Sequence, residues 1–497
     1  MLRCVLIAFF ALFGLSANAL TVVLEMPPRS LNPRQTVDVN GQRLVALLFS
    51  GLTRIDHKLE LQSDLAKTWS SSSDGKTWHF EISDGQRDHL GIPITAEDLK
   101  ICLENYRTGK PASPLKGAFP DWIKTTTKKN RLSIHLKNPD WFLANNISAL
   151  KFFRQKNLPP CSEPDGKLPV FTSGIYREGD MGLSHLFPQK ELKLTPLDPN
   201  LSPLHFVFVR DELTRMFMLL RGDADAAQNV ITLTKTRWLQ NKHAKNFNVI
   251  ETDGTSVEYL AFNLSDPLLS NIKIRQAIAH AINRDLYVKH KMIGFGKIIN
   301  TFLPPQLKEH IELDFDFNPQ KSIRLLREAN LSDLSFSYIC TPVREGIEKA
   351  KHLQTMLAAV GIKLRVETLE PAVYFERLRK GNYQLYSTRW VGVADVSILN
   401  TALNSTSRLN RVYYANPQVD QWLSLAQNEP HPEKRLRYYQ NIQKQMLVDL
   451  PYFPLWIWNN SLILSKKWES LSSDDLSARA DYYPLSTIRL KKQWNDF

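Results

Sequence analysis

The residues that could carry out chemistry are dispersed along this 497-residue chain. His280 and His290 fall on one predicted helix, but they lie too far apart to chelate one metal ion. The stretch GFG at 294–296 is half of a dinucleotide-binding fingerprint. It follows a predicted helix, whereas that fingerprint requires a preceding strand, so we interpret it as a turn.

Paired carboxylates, which could act as a general acid and base, have a simpler interpretation. The pairs at 97–98 and 474–475 stand at predicted helix starts or in loops, so we interpret them as caps or solvated charge. The sequence contains no Cys-x-x-Cys, His-Glu-x-x-His, Gly-x-Ser-x-Gly or Walker phosphate-loop motif. We therefore predict a protein that is not an enzyme and that carries no cofactor or metal.

The cysteines do not form a disulfide framework. Cys4 lies in the predicted leader, which leaves Cys102, Cys161 and Cys340. An odd number leaves at least one free thiol unless two chains pair. Cys102 falls on the apolar face of a predicted helix, where it would fill the core. The sequence leaves open whether it also forms a disulfide with Cys161.

The first 19 residues have the pattern of a secretory signal peptide. Arg3 supplies a positive charge, residues 5–15 (VLIAFFALFGL) form an apolar run, and Ala17-Asn18-Ala19 is a cleavage sequence. A membrane anchor that stays uncleaved is the alternative, but a span needs about 20 apolar residues. We expect cleavage after Ala19 and a secreted, soluble chain.

The remaining length is too great for one core and predicts two or three domains. The formal charge is +13, but its basic clusters, such as Lys128-Lys129, are short and scattered. Nucleic-acid binding favours a concentrated basic patch. We therefore predict a solvated basic surface and no nucleic-acid partner.

The stretch 73–99 (SDGKTWHFEISDGQRDHLGIPITAEDL) shows how the elements are built. Trp78, Phe80 and Ile82 alternate with polar residues, which predicts a half-buried strand. Thr95, with Asp98 three positions later, is a helix-capping pattern. The segment is a strand, a turn and a helix without catalytic groups, so we assign it to a scaffold.

Later segments repeat this alternation of strands and helices. Residues 257–263 read as a buried strand, and a helix from Ile274 is expected to end at Gly294. Residues 350–360 predict a helix that Gly361 ends, followed by a strand at 362–366. A last helix spans 436–450. The alternation predicts an α/β architecture.

Several stretches, in order, resemble the periplasmic solute-binding proteins of the oligopeptide, dipeptide and nickel type, which deliver ligands to ABC importers. Together they cover nearly all of 20–497. The most specific is EYLAFN followed by IRQAIAHAINRD, between Glu258 and Asp285. The others are LNP at 31–33, LLFSGLTRID at 47–56, LAKTWSSSSDGKTWHFEISDG at 65–85, GIPITAEDL at 91–99, FTSGIYR at 171–177, AVGIKL at 359–364, YQLYSTRW at 383–390, NRVYYANPQVDQWL at 410–423 and LPYFPLW at 450–456.

The resemblance implies a class II (type C) periplasmic-binding-protein fold, with two lobes built from three domains and joined by a hinge. Domain II would span 57–170 and domain III 254–458. Domain I would be discontinuous, at 20–56, 171–253 and 459–497.

The resemblance also implies a function. A peptide or peptide-like ligand would bind in the cleft between the lobes, and the protein would deliver it to the membrane permease of an ABC importer. It would be a periplasmic monomer. A nickel or haem carrier of the same fold is the alternative, and a secreted hydrolase or a ligand sensor is less well supported.

Family members that take peptides typically pair the ligand ammonium with an Asp three residues after a cleft Trp. Trp390 resembles that Trp, but Val393 stands at the Asp position, and Asp395 is the nearest acid. We therefore expect ordinary short peptides with free amino ends to bind weakly. Ser50 replaces a frequent acid and could alter the cleft floor.

Four further residues are predicted ligand contacts, each with a structural alternative. Tyr259 begins a strand and would face the cleft or pack in the core. Arg344 could receive a carboxylate or lie in solvent. Asn410 and Arg411 stand where the family has a cleft-side loop, and capping or solvent roles stay open for both.

Overall fold

A computed structural model describes most of the chain. The described residues are 19–115, 122–155, 158–162, 170–171, 173–178, 190–330 and 334–491. The predicted leader therefore lies outside the described residues, apart from Ala19. Among the described helices, none combines the length and apolar character needed to cross a bilayer.

The strands are named here in chain order. They are β1 (Leu20–Leu24), β2 (Thr53–Ile55), β3 (Leu61–Ser63), β4 (Ala66–Ser71), β5 (Thr77–Ile82), β6 (Trp122–Lys128), β7 (Arg131–Leu136), β8 (Arg154–Gln155), β9 (Val170–Phe171), β10 (Tyr176–Glu178), β11 (Glu191–Pro196), β12 (Leu204–Phe208), β13 (Ala226–Gln228), β14 (Phe247–Phe262), β15 (Gly296–Lys297), β16 (Ser335–Cys340), β17 (Lys363–Thr368), β18 (Leu385–Trp390) and β19 (Tyr452–Ser465).

The helices are numbered in the same way, and short 3₁₀ turns add Ile147–Ala149 and Ser473–Asp475. They are α1 (Val39–Leu48), α2 (Ala96–Thr108), α3 (Leu143–Asn146), α4 (Glu212–Arg221), α5 (Leu233–Lys242), α6 (Ile272–His280), α7 (Arg284–His290), α8 (Pro319–Glu328), α9 (Arg344–Ala358), α10 (Pro371–Lys380), α11 (Ser397–Leu403), α12 (Pro417–Asn428), α13 (Pro432–Asp449) and α14 (Tyr483–Ser486).

One mixed sheet runs through the molecule and serves two lobes. Its strand order is β10-β11-β12-β1-β13-β19-β14-β18-β16-β17, with β15 paired to β19. The first lobe, at the β10 end, buries its apolar side chains in a core that includes Leu20, Leu44 and Phe206. The second lobe, at the β17 end, has separate cores on the two sides of the sheet. The mixture of strands and helices confirms the predicted α/β architecture.

The long antiparallel strands β14 and β19 connect the lobes. The first half of β14, up to Asp253, pairs with β19 beside β13, and its second half pairs with β19 and β18. The register shifts between Asp253 and Ser256. A Cβ on Gly254 would lie 2.1 Å from the carbonyl oxygen of Trp458, so the close approach of the two strands requires glycine there. This irregularity is where the sheet passes from one lobe to the other.

The first lobe also contains a four-stranded sheet, in the order β4-β5-β7-β6. It includes the predicted strand, and α2 begins as predicted, because Thr95 Oγ accepts from the Asp98 N–H at 3.1 Å and Asp98 accepts from the Thr95 N–H. The structure joins Cys102 to Cys161, with their Cα atoms 4.7 Å apart. Cys340 is buried and is not part of a disulfide.

The helix predicted to run from Ile274 to Gly294 is wrong in one respect, because the structure divides it. Asn283 has extended backbone between α6 and α7, and its side chain accepts from the Leu286 N–H at 2.9 Å. An Asn that caps a new helix in this way interrupts the previous one. His280 and His290 therefore lie on different helices.

Candidate functional site

A cavity of about 370 Å³ lies between the lobes, where the crossing strands meet the first lobe. The first lobe supplies most of its lining, from segments within 33–64, 148–151, 174–175 and 477–484. Thr255, Ser256, Val391 and Gly392 form the opposite wall, at the edge of the second lobe. Because both lobes contribute, any movement at the hinge changes the size of this space.

The wall at Val391 and Gly392 is an exposed turn that follows β18. The ladder between β14 and β18 ends at the pair Val257–Trp390, so the backbone beyond Trp390 leaves the sheet. The Gly392 N–H donates to Ser256 Oγ at 3.2 Å, and the Gly392 backbone is left-handed, with φ of 66°. Val391 is 59% exposed. The wall therefore presents backbone and a small apolar side chain to the cavity.

The floor of the cavity holds ionisable groups from distant parts of the chain. Asp64 accepts from the Gly51 N–H at 2.7 Å. Lys151, whose backbone forms an isolated antiparallel bridge with Gly51, is 8% exposed. Burial raises the pKa of the Asp64 carboxyl, and the charge of Lys151 opposes this rise. Burial also lowers the pKa of Lys151. Burial thus disfavours the charged form of both groups, and the opposite charge of each partner counteracts this.

A C-terminal segment, residues 477–484, covers one side of this floor. Arg43, on α1, donates to the Arg479 carbonyl at 2.9 Å and lies over the ring of Tyr482. Asn460, on β19, donates to the carbonyl of Ala478 at 2.6 Å. The segment is therefore tied both to the first lobe and to a crossing strand, and it places Arg479 at the cavity.

Among the described residues that line the cavity, none of the six sequence-predicted contacts is present. Trp390 directly precedes the lining residues Val391 and Gly392 in the chain. Its ring stacks on Tyr259 at 5.8 Å, and its Nε1 is buried without a hydrogen-bond partner among the described residues. Tyr259 is 3% exposed and packs against Phe302 and Tyr452, so its side chain lies in the core.

The other four predicted residues are separated from one another. Asp395 accepts from the Ser397 N–H at 2.8 Å at the start of α11. Arg344 is exposed and pairs with Glu348 on the same helix. The buried Asn410 side chain donates to the carbonyl of Tyr414 at 2.7 Å. The Arg411 carbonyl accepts from a tyrosine hydroxyl. The structure thus gives each a local role and does not bring them together, and their contact with ligand stays a prediction.

The cavity residues that sequence reasoning missed include four basic ones: Arg43, Arg54, Lys151 and Arg479. Arg54 falls within the quoted stretch LLFSGLTRID, and Ser50, in the same stretch, lines the cavity as the resemblance implied. Lys151 follows a short apolar run and Arg479 lies in a C-terminal loop, and neither stands in a recognisable motif.

A second contact joins the lobes away from the cavity, and we call it the clasp. Trp141, after β7 in the first lobe, donates from Nε1 to the carbonyl of Gln427 on α12 at 3.0 Å. The guanidinium of Arg435 on α13 lies 5.0 Å from the centre of the Trp141 ring. Phe142 meets Tyr439 edge to face at 6.4 Å. The clasp exists only while the lobes are close together.

We expect Trp141→Ala to favour separation of the lobes by about 1–2 kcal/mol, the sum of one hydrogen bond and one cation–π contact. Small-angle X-ray scattering of the ligand-free protein measures this as a larger radius of gyration. Trp238→Ala is the control, because Trp238 is also partly exposed and packs on His243 within the first lobe. Identical scattering from Trp141→Ala and the wild type would contradict the assignment of the clasp.

Comparison with protein families gives one match that covers most of the chain. A family model described as "Bacterial extracellular solute-binding proteins, family 5 Middle" matches residues 60–408. The matched region includes the four-stranded sheet, β14, β18 and the Val391–Gly392 wall.

Individual proteins are similar over nearly the whole chain. A putative ABC transporter peptide-binding protein of Brucella ovis is 26% identical, over 85% of this chain and 84% of its own. The glutathione-binding protein GsiB of Escherichia coli is 25% identical, over 90% of each chain. The crystal structure of the ABC transporter substrate-binding protein CtaP from Listeria monocytogenes superimposes with a TM-score of 0.83 at 19% identity, over 95% of this chain and 99% of that chain.

Proposed function

The chain belongs to family 5 of the bacterial extracellular solute-binding proteins, and from this premise we propose that it captures a peptide or peptide-like ligand between its lobes for delivery to an ABC importer. Its fold is the class II periplasmic-binding-protein fold, as predicted, with two lobes and a hinge. The observation that carries the proposal is the interlobe cavity, which both lobes line at the irregularity in β14 and β19.

Closure of the lobes supplies the mechanism. When they approach, the ligand loses contact with water and each polar contact to it strengthens. The ligand shifts the equilibrium between open and closed forms only through its tighter binding to the closed form. A shift from 1:99 to 99:1 in favour of the closed form requires a binding preference of about 5.5 kcal/mol. Val391, exposed at the wall, would contact a ligand enclosed in the cavity. The importer can then distinguish the loaded form from the empty one.

The domain boundaries follow from the same proposal. Domain II at 57–170 contains the four-stranded sheet and α2, and domain III at 254–458 contains the second lobe. Domain I combines 20–56, 171–253 and 459–497. The protein acts as a periplasmic monomer after removal of residues 1–19, and it releases its ligand unchanged, without catalysis.

Trp390 and Asp395 stay proposed contributors to the ligand site. Trp390 packs on Tyr259 and thereby fixes where the Val391–Gly392 wall starts. Asp395 follows that wall at a helix start, where a small shift of the loop would turn it towards a ligand. Asn410, Arg411 and Arg344 would act from the surrounding second lobe.

Mass spectrometry of the small molecules released when the purified protein is denatured tests the proposal. We expect one peptide or peptide-like compound per chain, which rebinds to the refolded protein and is recovered with its mass unchanged. A nickel complex or haem in its place would favour the alternative cargo. A recovered compound that the protein converts into another would overturn the proposal.

A further inference from the structure

We infer that the captured molecule presents a carboxylate to the first lobe, where Lys151, Arg54 and Arg479 form an anion-binding floor beneath the cavity. This inference rests on the proposed function and names the chemical class of its ligand. Its basis is a set of basic side chains that line the cavity and that form no hydrogen bond or ion pair with a described residue.

Lys151 is the strongest observation. The residue is 8% exposed and lines the cavity, yet within the part of the chain that the structure describes its ammonium has no hydrogen bond and no carboxylate within 4.0 Å. An ammonium has three donors, and burying a charge without partners is costly. A ligand carboxylate in the cavity would accept from it directly.

Arg54 and Arg479 extend the same floor. Arg54 lies with its guanidinium 5.5 Å from the centre of the Tyr483 ring, an arrangement that leaves its edge donors free. Neither guanidinium has a hydrogen bond or ion pair to a described residue, and both line the cavity. A guanidinium can bind a planar carboxylate through two parallel hydrogen bonds.

The three aspartates of the floor accept hydrogen bonds from other groups, and among the described residues they form no ion pair with these basic side chains. Asp56 accepts from the backbone N–H groups of Lys58 and Glu60 and from Gln62, each at 2.9 Å. Asp64 accepts from Gly51, and Asp481 accepts from the Ser477 hydroxyl at 3.2 Å.

Counting the lysine, arginine and aspartate side chains of the described lining residues leaves a surplus of one positive charge. The lining holds four basic residues, with Arg43 bound to the Arg479 carbonyl, against these three carboxylates. A cavity with this surplus and low-dielectric walls attracts an anion.

The test uses mixtures of tripeptides with free and acetylated amino ends. One mixture carries free C-terminal carboxylates and the other carries C-terminal amides. Each mixture is incubated with the purified protein, and captured peptides are identified by mass spectrometry. The variants are Lys151→Met and Arg54→Met, and Lys193→Met, an exposed lysine on β11, is the matched control. Thermal unfolding confirms that each variant is folded.

We expect the wild type and Lys193→Met to capture the carboxylate mixture about tenfold better than the amide mixture, with captured amides enriched in Asp and Glu. Lys151→Met and Arg54→Met each lose this preference by roughly tenfold, the scale of one hydrogen bond between charged groups. Equal capture of both mixtures by the wild type, or a preference that both variants retain, overturns the inference and leaves the proposed function standing. Capture of neither mixture overturns the proposed function itself.

Discussion

Replacing Lys349 with methionine is expected to destabilise the second lobe by about 3–5 kcal/mol, because it leaves a buried carboxylate without its main counter-charge. Glu258, on β14, is 1% exposed, and Lys349, on α9, donates to it. Removal of one partner of such a pair is costly because the remaining charge stays away from water. This is one of the two largest effects that the structure predicts for a single substitution.

The surroundings of Glu258 explain why the carboxylate is nevertheless ionised. It accepts from Ser387 Oγ at 3.2 Å and from Trp458 Nε1 at 3.1 Å, and Arg389 Nε lies 3.4 Å away. Burial alone would raise the pKa of Glu258, but Lys349 and Arg389 hold it below its ordinary value of 4.5. The network joins β14, β18, β19 and α9 beside the hinge.

Chemical denaturation followed by tryptophan fluorescence measures the loss. Lys351→Met, an exposed lysine on the same helix, is the control. The double variant Glu258→Gln with Lys349→Met should recover much of the stability, since both charges are gone. Unchanged stability of Lys349→Met would contradict this account of the network.

The pH dependence of the same network has a definite sign. The pKa of Glu258 is lower in the folded protein than its ordinary value. Its ionisation therefore stabilises the fold when the pH is above the ordinary pKa, and this stabilisation is lost as the pH falls through the lowered pKa of the folded state. Glu258→Gln should therefore lose less stability on acidification than the wild type does.

Removing the disulfide should cost about 4 kcal/mol, the chain-entropy expectation for its long loop. Cys102, on α2, and Cys161, after β8, are 59 residues apart in sequence, and both are buried in the core of the first lobe. Without the link, the unfolded chain gains conformations that the native state does not.

The double variant Cys102→Ala with Cys161→Ala, compared with the wild type by thermal unfolding, measures this effect. A reducing agent should lower the melting temperature of the wild type and leave that of the double variant unchanged. Cys340→Ala is the control, since the Cys340 thiol is free and the variant should keep its sensitivity to reductant. A wild-type melting temperature that does not change with reductant would contradict the assignment of the disulfide.

The sequence predicts the secondary structure best where local chemistry is strong. Thr95 and Asp98 form the expected capping box, and the helix predicted over 350–360 is contained in α9 apart from its end. The prediction of one helix from Ile274 to Gly294 failed because apolar spacing continues across Asn283, whose capping role depends on its backbone conformation.

The cavity is harder to predict because its parts come from distant segments. Arg54, Lys151 and Arg479 meet only after the first lobe is assembled, and no spacing in the chain relates them. Tyr259 shows a different limit, because its local pattern predicts the strand but not the surroundings of its side chain. A period of two places it on a strand, but the sheet has apolar layers on both sides, so the pattern cannot separate core from cleft.

Titration of the co-purified compound into Val391→Trp is the most direct test of capture between the lobes. Val391 lines the cavity and is 59% exposed, so the larger ring should fill ligand space without disturbing the core. Val343→Trp, at 57% exposure on the same lobe but outside the cavity lining, is the matched control. Calorimetry should show affinity at least about tenfold weaker for Val391→Trp and unchanged for Val343→Trp, a difference of 1.4 kcal/mol or more. Wild-type affinity in Val391→Trp would place the ligand elsewhere and contradict the account.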